Sequence, residues 1–259
     1  MAAIITIGID PMIELGPLSI AWHGLMIAVG IGFGWWLAAR YARERGLDEN
    51  EILTLAVVVA IAGIVGARAF FLFENDAAAL LDPGEWLGTR GFAFWGAIIL
   101  GIPAVALYLR RRALGPPYLD ALAAGFPLGM AVGRIGDIIN GEHFGPASDL
   151  PWAIRYTHPD ALVPGIELAY HSGGLYESLL ALVMLAIVWP LRDRLRSPGL
   201  LLATVVGVYS AGRFVMFFYR SDSEALAAGL NGAQWTSLVM LSLAIVGAAL
   251  SMRRDARAR

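Results

Sequence analysis

Apolar residues gather into seven stretches along the chain. They are Ile20–Tyr41, Ile52–Phe73, Phe92–Leu109, Tyr118–Ile135, Leu175–Leu191, Leu200–Phe218 and Trp235–Met252. Each is near the ~20 residues a helix needs to cross the hydrocarbon of a bilayer. Polar residues between them alternate in character. Arg40, Arg43 and Arg45 follow the first stretch, Arg110–Arg112 the third, Arg192, Arg194 and Arg196 the fifth, and Arg253, Arg254, Arg257 and Arg259 the seventh. The other loops hold Arg90, Arg155 and Arg220 among Asp76, Asp82, Glu85, Asp149, Asp160, Glu167, Asp222 and Glu224. Because cytoplasmic loops carry the excess of basic residues, this predicts an outside N-terminus and a cytoplasmic C-terminus. Residues 1–19 are mildly apolar and predict an interfacial segment.

Composition agrees. Hydrophobic residues make up 58% and charged residues 15%, where a soluble domain carries roughly a quarter charged residues. The expected fold is an all-α integral membrane protein of seven transmembrane helices, one domain over residues 1–259. A small extracytoplasmic cap at 137–172 is inserted between helices four and five. That segment contains Pro146, Pro151, Pro159 and Pro164, which exclude a long helix and leave room for short strands such as Trp152–Tyr156. The net charge of −2 supplies no field for nucleic acid. There is no cysteine, so no disulfide, thiolate metal site or thiol nucleophile belongs to the chain. There is no lysine either, which excludes a Schiff base. No basic region precedes the first apolar run, so it does not read as a cleaved signal peptide.

With this topology, Arg68, Arg134 and Arg213 fall in the outer parts of stretches two, four and six. His23, Trp95, His171 with Tyr176 and Glu177, and Gln234 fall at the outer ends of the others. The polar residues therefore converge on one face. An arginine at membrane depth is costly without a partner. Asp137, Glu142, Glu177 and Glu74 are candidate partners, and an ion-pair network suits Arg68. For Arg134 and Arg213 a bound phosphate is expected, because guanidinium forks match phosphate oxygens. A lipid headgroup is the phosphate available at this depth. Arg220 reads either as a member of that face, with Tyr209 and Arg213, or as a snorkelling residue. Ala121, Gly125, Gly129 and Gly133 form a small-residue stripe suited to close helix packing. His143 and His158 show no ligand spacing, and no metal site is expected.

The stretch Gly133-Arg134-Ile135-Gly136-Asp137-Ile138-Ile139-Asn140-Gly141-Glu142-His143-Phe144-Gly145 resembles the signature of bacterial prolipoprotein diacylglyceryl transferases, GRxGNFxNxExxG. Gly66-Ala67-Arg68, Trp22-His23-Gly24-Leu25-Met26, Asp120, His171 with Leu175-Tyr176-Glu177, Tyr209 with Arg213-Phe214, and Gln234 extend the resemblance through most of the chain. It implies transfer of the diacylglyceryl group of phosphatidylglycerol to a thiol in the lipobox of a prolipoprotein signal peptide. A thioether forms and glycerol phosphate leaves. It also implies a multi-pass protein of the bacterial plasma membrane, without cofactor and read here as a monomer. Arg134 and Arg213 match the family's essential arginines.

The chain departs from the family pattern at five places. Asp137 and Ile138 replace the first Asn and the Phe of the signature. His23 replaces a tyrosine in span one, and Phe217 an acid four residues after Arg213. Trp95 replaces a span-three histidine that is a candidate for activating the thiol. The expected catalytic set is Arg134, Arg213, His23 and Glu142. The expected lipid- and phosphate-binding set is Arg134, Arg213, Arg68, Asn140, Tyr209 and Asp137. His23 is the expected base, with Glu142 and His143 in reserve. The departures also fit a non-catalytic lipid-binding or scaffolding paralogue. A transporter is disfavoured by the lack of an inverted repeat.

Overall fold

The computed structural model describes residues 5–16, 18–87, 91–221 and 224–258. Arg90, Asp222 and Arg259 of the loop pattern, and residues 1–4 and 17 of the N-terminal segment, lie outside the described residues. The described chain is mostly helical, with α1 (Trp22–Glu44), α2 (Glu49–Asn75), α3 (Phe94–Arg111), α4 (Pro116–Asn140), α5 (Gly173–Leu191), α6 (Leu200–Met216) and α7 (Gly232–Ala258). Each matches one of the seven apolar stretches. By length and composition, α1, α2, α4, α5, α6 with the 3-10 turn that extends it to Tyr219, and α7 are able to cross a membrane. The helix surfaces fit that solvent. Ile61 and Ile64 on α2 and Ile245 on α7 are all more than half exposed, whereas Asp120, Asp137, Asn140 and Glu177 are buried. The protein is a multi-pass membrane protein.

Contacts divide the chain into two compact units, residues 42–118 and residues 1–41 with 119–259. In the first, α2 and α3 form a hairpin. Gly66 and Gly96 face each other so closely that a Cβ on either would run into the other's carbonyl. Asp48 caps α2, its side chain accepting from the Asn50 N–H at 2.9 Å. At the same end, the buried Glu51 carboxylate accepts from Arg112 and, at 2.5 Å, from the Tyr108 hydroxyl. At the other end, Arg68 holds the loop between the helices. Its Nε donates to the Glu85 carbonyl at 2.9 Å and its Nη1 to the Gly91 carbonyl at 3.0 Å.

In the second unit the small-residue stripe of α4 meets a matching one on α1. A Cβ on Gly30 would strike the Gly129 carbonyl and lie 2.9 Å from the Gly133 nitrogen; one on Gly34 would lie 3.3 Å from both Gly125 and Gly129. The backbones touch, which only glycine permits. Asp120 of α4 supplies the N-terminal cap that α6 lacks at Gly199, accepting from the N–H groups of Gly199 at 2.7 Å and Leu202 at 2.9 Å. Helix α7 begins with a reciprocal capping box. Asn231 accepts from the Gln234 N–H at 2.9 Å, and Gln234 accepts from the Asn231 N–H at 3.0 Å. Gln234 thus has a structural task at its helix end.

Short strands complete this unit. β1 (Ile5–Ile7), β4 (Phe144–Ala147), β5 (Ile154–Tyr156) and β6 (Ala169–Ser172) form one sheet in the order β1-β5-β6-β4. β2 (Met12–Leu15) and β3 (Leu18–Ala21) form a hairpin, as do β7 (Ala225–Ala227) and β8 (Leu230–Asn231). Two boundaries differ from expectation. Asp137 lies in the last turn of α4, so the cap begins after Asn140. And the N-terminal segment contributes β1, pairing Ile5 with Ile154 in parallel. Periodicity could not reveal that a three-residue strand at one end of the chain completes a sheet in its middle. Pro146 has no N–H for the ladder, and the β4–β6 register shifts between Phe144 and Ala147. The Tyr156 hydroxyl donates to the Ile138 carbonyl at 2.9 Å, tying the cap to α4. Burial pushes this phenol up to about 12, so it keeps its proton.

Gly30 and Gly32 make a clean comparison, because a Cβ on Gly32 meets nothing within 4 Å. Gly30→Leu is expected to cost about 2 kcal/mol or more through overpacking. Gly32→Leu is expected to stay within about 0.5 kcal/mol. Thermal unfolding of both variants in one detergent measures the difference.

Candidate active site

Four helix ends of the second unit meet at one cluster. Helix α1 begins with His23, α4 ends with Arg134, Asp137 and Asn140, α5 begins with Glu177, and α6 ends with Tyr209 and Arg213. Two glycines allow the approach. A Cβ on Gly136 would lie 2.6 Å from the His23 Cα, and one on Gly174 would lie 2.9 Å from the Asp137 Cβ. Gly145 has no room for a Cβ against the Tyr219 carbonyl, which brings the end of α6 to the cap.

Glu177 is the centre. Its side chain is 1% exposed, and it is paired with Arg134, with Arg213 at 3.1 Å and with Arg220 at 3.6 Å. Tyr209 also accepts from Arg213 at 3.0 Å. Phe217, where an acid was expected, lies between two guanidiniums, 4.6 Å from that of Arg213 and 4.5 Å from that of Arg220. An aromatic face attracts such cations. Arg220 donates to the His143 Nδ1 at 2.8 Å, so that nitrogen carries a lone pair. The backbone holds His143 at φ 61°, and its carbonyl accepts from the Gly173 N–H at 2.9 Å.

Asp137 forms the other half of the cluster. One oxygen is paired with Arg134, and the other lies 2.5 Å from the His23 Nδ1. Glu142 approaches the same ring nitrogen at 3.2 Å, and its other oxygen accepts from the Asn140 amide at 3.3 Å. The buried Asn140 Oδ1 has no hydrogen-bond partner among the described residues. His23, Asp137 and Glu142 bring one donor atom each within 4.8 Å of one another. Arg134 on Asp137 competes with any cation there, and the contacts describe a hydrogen-bonded network. Three carboxylates balance three arginines, so with neutral histidines the cluster has no net charge.

Of the residues expected at the site, His23, Arg134, Asp137, Asn140, Glu142, Tyr209 and Arg213 come together. Arg68 belongs to the other unit, where it serves the Glu85–Gly91 loop. Trp95 also belongs to that unit, at the start of α3. Glu177 was one of several candidate anions; its place under three arginines depends on how the helix ends meet. Arg220 proves to be a member of the cluster, its side chain only 7% exposed. Beside it lies an apolar pocket of about 620 Å³ between α5, α6 and the cap, lined by Leu150, Leu179, Leu180, Val215 and Met216. Its polar rim includes His171, whose Nδ1 lies 2.5 Å from the Tyr176 hydroxyl. Burial pushes His171 below the ordinary imidazole range.

Comparison with known proteins finds relatives along nearly the whole chain. The family profile described as prolipoprotein diacylglyceryl transferase matches residues 11–250. The chain is 37% identical over 238 residues to the phosphatidylglycerol–prolipoprotein diacylglyceryl transferase of Thermosynechococcus vestitus, covering 89% of this chain and 88% of that one. It is 33% identical over 261 residues to the enzyme of that name from Symbiobacterium thermophilum, covering 96% and 95%. The one from Bordetella avium is also 33% identical over 261 residues, covering 96% and 97%.

Glu177→Gln removes the charge beneath three arginines. Breaking a buried ion pair from one side costs about 3–5 kcal/mol, so a large drop in unfolding temperature is expected in detergent. Glu224→Gln, at an exposed position, is expected to leave it unchanged.

Proposed function

The chain belongs to the prolipoprotein diacylglyceryl transferase family, and on that footing we propose that it transfers the diacylglyceryl group of phosphatidylglycerol to the lipobox cysteine thiol of prolipoproteins. The observation that carries this reading is the convergence of Arg134, Arg213 and Arg220 on the buried Glu177. Glu177 grips the guanidiniums from the protein side. Arg134 and Arg213 remain 24% and 20% exposed, so each keeps an edge for a phosphate. As the glycerol carbon–oxygen bond breaks, charge grows on the leaving phosphate. Fixed donors at such a place contribute about 3 kcal/mol each by analogy with oxyanion holes. Asp137 and Asn140 are buried and act on the substrates through Arg134, His23 and Glu142. Tyr209 orients Arg213. The apolar pocket beside Tyr176 and Tyr219 suits an acyl chain. Its rim is one residue from Glu177 and from Arg220, so a lipid tail there leaves the headgroup near the arginines. A non-catalytic paralogue is not favoured, because the relatives matched along nearly the whole chain carry the transferase name.

Seven spans support the same site. β1 precedes α1 and β5 follows α4, yet the two strands pair in one sheet. A sheet cannot straddle a bilayer, so the chain crosses an even number of times between them. With α1, α2 and α4 crossing, α3 crosses too. His23, Asp137, Glu177 and Arg213 then all stand at the membrane face that the arginine-poor loops occupy. By the positive-inside rule that face is outside the bacterial plasma membrane. One chain supplies every group of the cluster, in keeping with a monomer.

Two measurements test these assignments. Introduced cysteines are clean topology reporters, since the chain has none of its own. A cysteine at Ser148 is expected to react with an impermeant reagent on intact cells, and one at Arg111 only after lysis. The reverse pattern defeats the orientation. For the clamp, Arg134→Lys and Arg213→Lys are each expected to lower transfer from labelled phosphatidylglycerol to a lipobox peptide by about 100-fold, because an ammonium cannot replace a planar fork. Arg254→Lys is expected to have no effect.

A further inference from the structure

We propose that His23, oriented by Asp137, is the base that takes the proton from the acceptor thiol, an assignment that rests on the transferase reading above. The argument begins with the two ring nitrogens. Nδ1 faces Asp137 at 2.5 Å and Glu142 at 3.2 Å. A carboxylate only accepts, so Nδ1 carries the hydrogen and the lone pair is on Nε2. No protein group among the described residues engages Nε2. Exposure separates the two edges of this pair as well. The Asp137 side chain is 1% exposed and that of His23 35%. The imidazole therefore has a buried, bonded edge and an open one.

The surroundings fix this pair in place. Gly136 lets α4 reach the His23 backbone, and Gly174 lets α5 reach Asp137. The charged groups facing the imidazole are Asp137 in α4, Glu142 just after it, and Arg134 on the far oxygen of Asp137; Arg134 leads on to Glu177 in α5. Two carboxylates against one arginine, itself shared with Glu177, leave an anionic neighbourhood for an imidazolium. The sequence supplies an independent observation. His23 and Asp137 each depart from the family pattern, 114 positions apart, and they are the two ends of one contact. Trp95 stands where the pattern has histidine, and an indole only donates.

The step balances without a further reactant. The thiol gives its proton to Nε2, and its sulfur forms a bond to the glycerol carbon. The carbon–oxygen bond to phosphate breaks, and its electron pair leaves with glycerol phosphate. The imidazolium then returns the proton to a leaving phosphate oxygen. A free thiol with pKa near ~8.5 is only about 3% ionised at neutral pH, so the base matters most there. General-base contributions of about 10²–10⁴-fold set the scale.

The test uses the full-length protein in phosphatidylglycerol nanodiscs, with two acceptor peptides that differ only in cysteine or selenocysteine at the lipobox position. A selenol is already ionised at neutral pH and needs no base. His23→Phe is expected to slow transfer to the cysteine peptide by about 100-fold or more at pH 7. The deficit shrinks as pH rises toward the thiol's own ionisation, and transfer to the selenocysteine peptide stays near the parent rate. Asp137→Asn is expected to show the same selective deficit, smaller in size. If His23→Phe slows both peptides equally, its role is structural and the base assignment is wrong. It is equally wrong if the variant keeps the parent's rate and pH profile. If the parent protein transfers to neither peptide, the transferase reading itself fails and the base assignment goes with it.

Discussion

A carboxylate with 1% of its surface exposed, at the end of a membrane helix, is tolerable only against positive charge. Glu177 meets that condition three times over, and the packing around it follows. Arg134 must come from the last turns of α4, Arg213 from the last turn of α6, and Arg220 from just beyond it. Each arginine in turn needs its other edge satisfied, and this draws in Asp137, Tyr209, Phe217 and His143. The charge cluster thus specifies which helix ends are neighbours, in an environment where lipid and side chains are equally apolar and burial of hydrocarbon selects weakly. Glycine stripes complement it. They let α1 and α4 come close but do not select a register; the paired charges do.

The helices were legible because a membrane leaves little choice. Backbone groups must be satisfied within each segment, so seven apolar runs gave seven helices; most ends fall within three residues of those read from the sequence, but α4 runs on to Asn140 and α7 to Ala258. The small-residue stripe announced a close contact, and its partner on α1, Gly30 and Gly34, was present in the sequence at the same spacing. The strands were less accessible. β1, β7 and β8 have three residues or fewer, too short for a period of two to show, whereas β5 falls within the Trp152–Tyr156 stretch that the sequence left room for as a strand. The site divided in the same way. Arginines at membrane depth are conspicuous, so Arg134 and Arg213 could be nominated directly. The pairing of charges could not, since Asp137, Glu142, Glu177 and Glu74 were all available as anions. Only the fold assigns Glu177 to three arginines and Asp137 to both Arg134 and His23. Arg68 lies 3.9 Å from the Glu85 carboxylate, the kind of ion pair the sequence suggested, but its hydrogen bonds go elsewhere. A buried guanidinium can be satisfied by backbone carbonyls as well as by anions, and Glu85 and Gly91 provide them.

Asp137 shows how the identity of one side chain sets the chemistry of a network. An amide at this place would offer one donor and one acceptor end. A carboxylate offers two acceptor ends, and both are used, one by an arginine and one by an imidazole. The guanidinium of Arg134 and the imidazole of His23 are thereby joined through a single side chain.

The parallel pairing of β1 with β5 also bears on how the chain assembles. Ile154 leaves the ribosome later than Ile5, with four helices between them. At synthesis rates of about 5–20 residues per second, the first strand waits roughly 7–30 s for its partner. Its backbone stays unpaired throughout, as an open edge that other extended chains could occupy. Once the sheet closes, β1 is fastened to the loop after α4, and the four helices between β1 and β5 become a closed loop of chain. The cap therefore works as a clasp. It joins the strand before α1 to the strand after α4, and β6, which links β5 to β4 in the same sheet, runs directly into α5 and so toward Glu177.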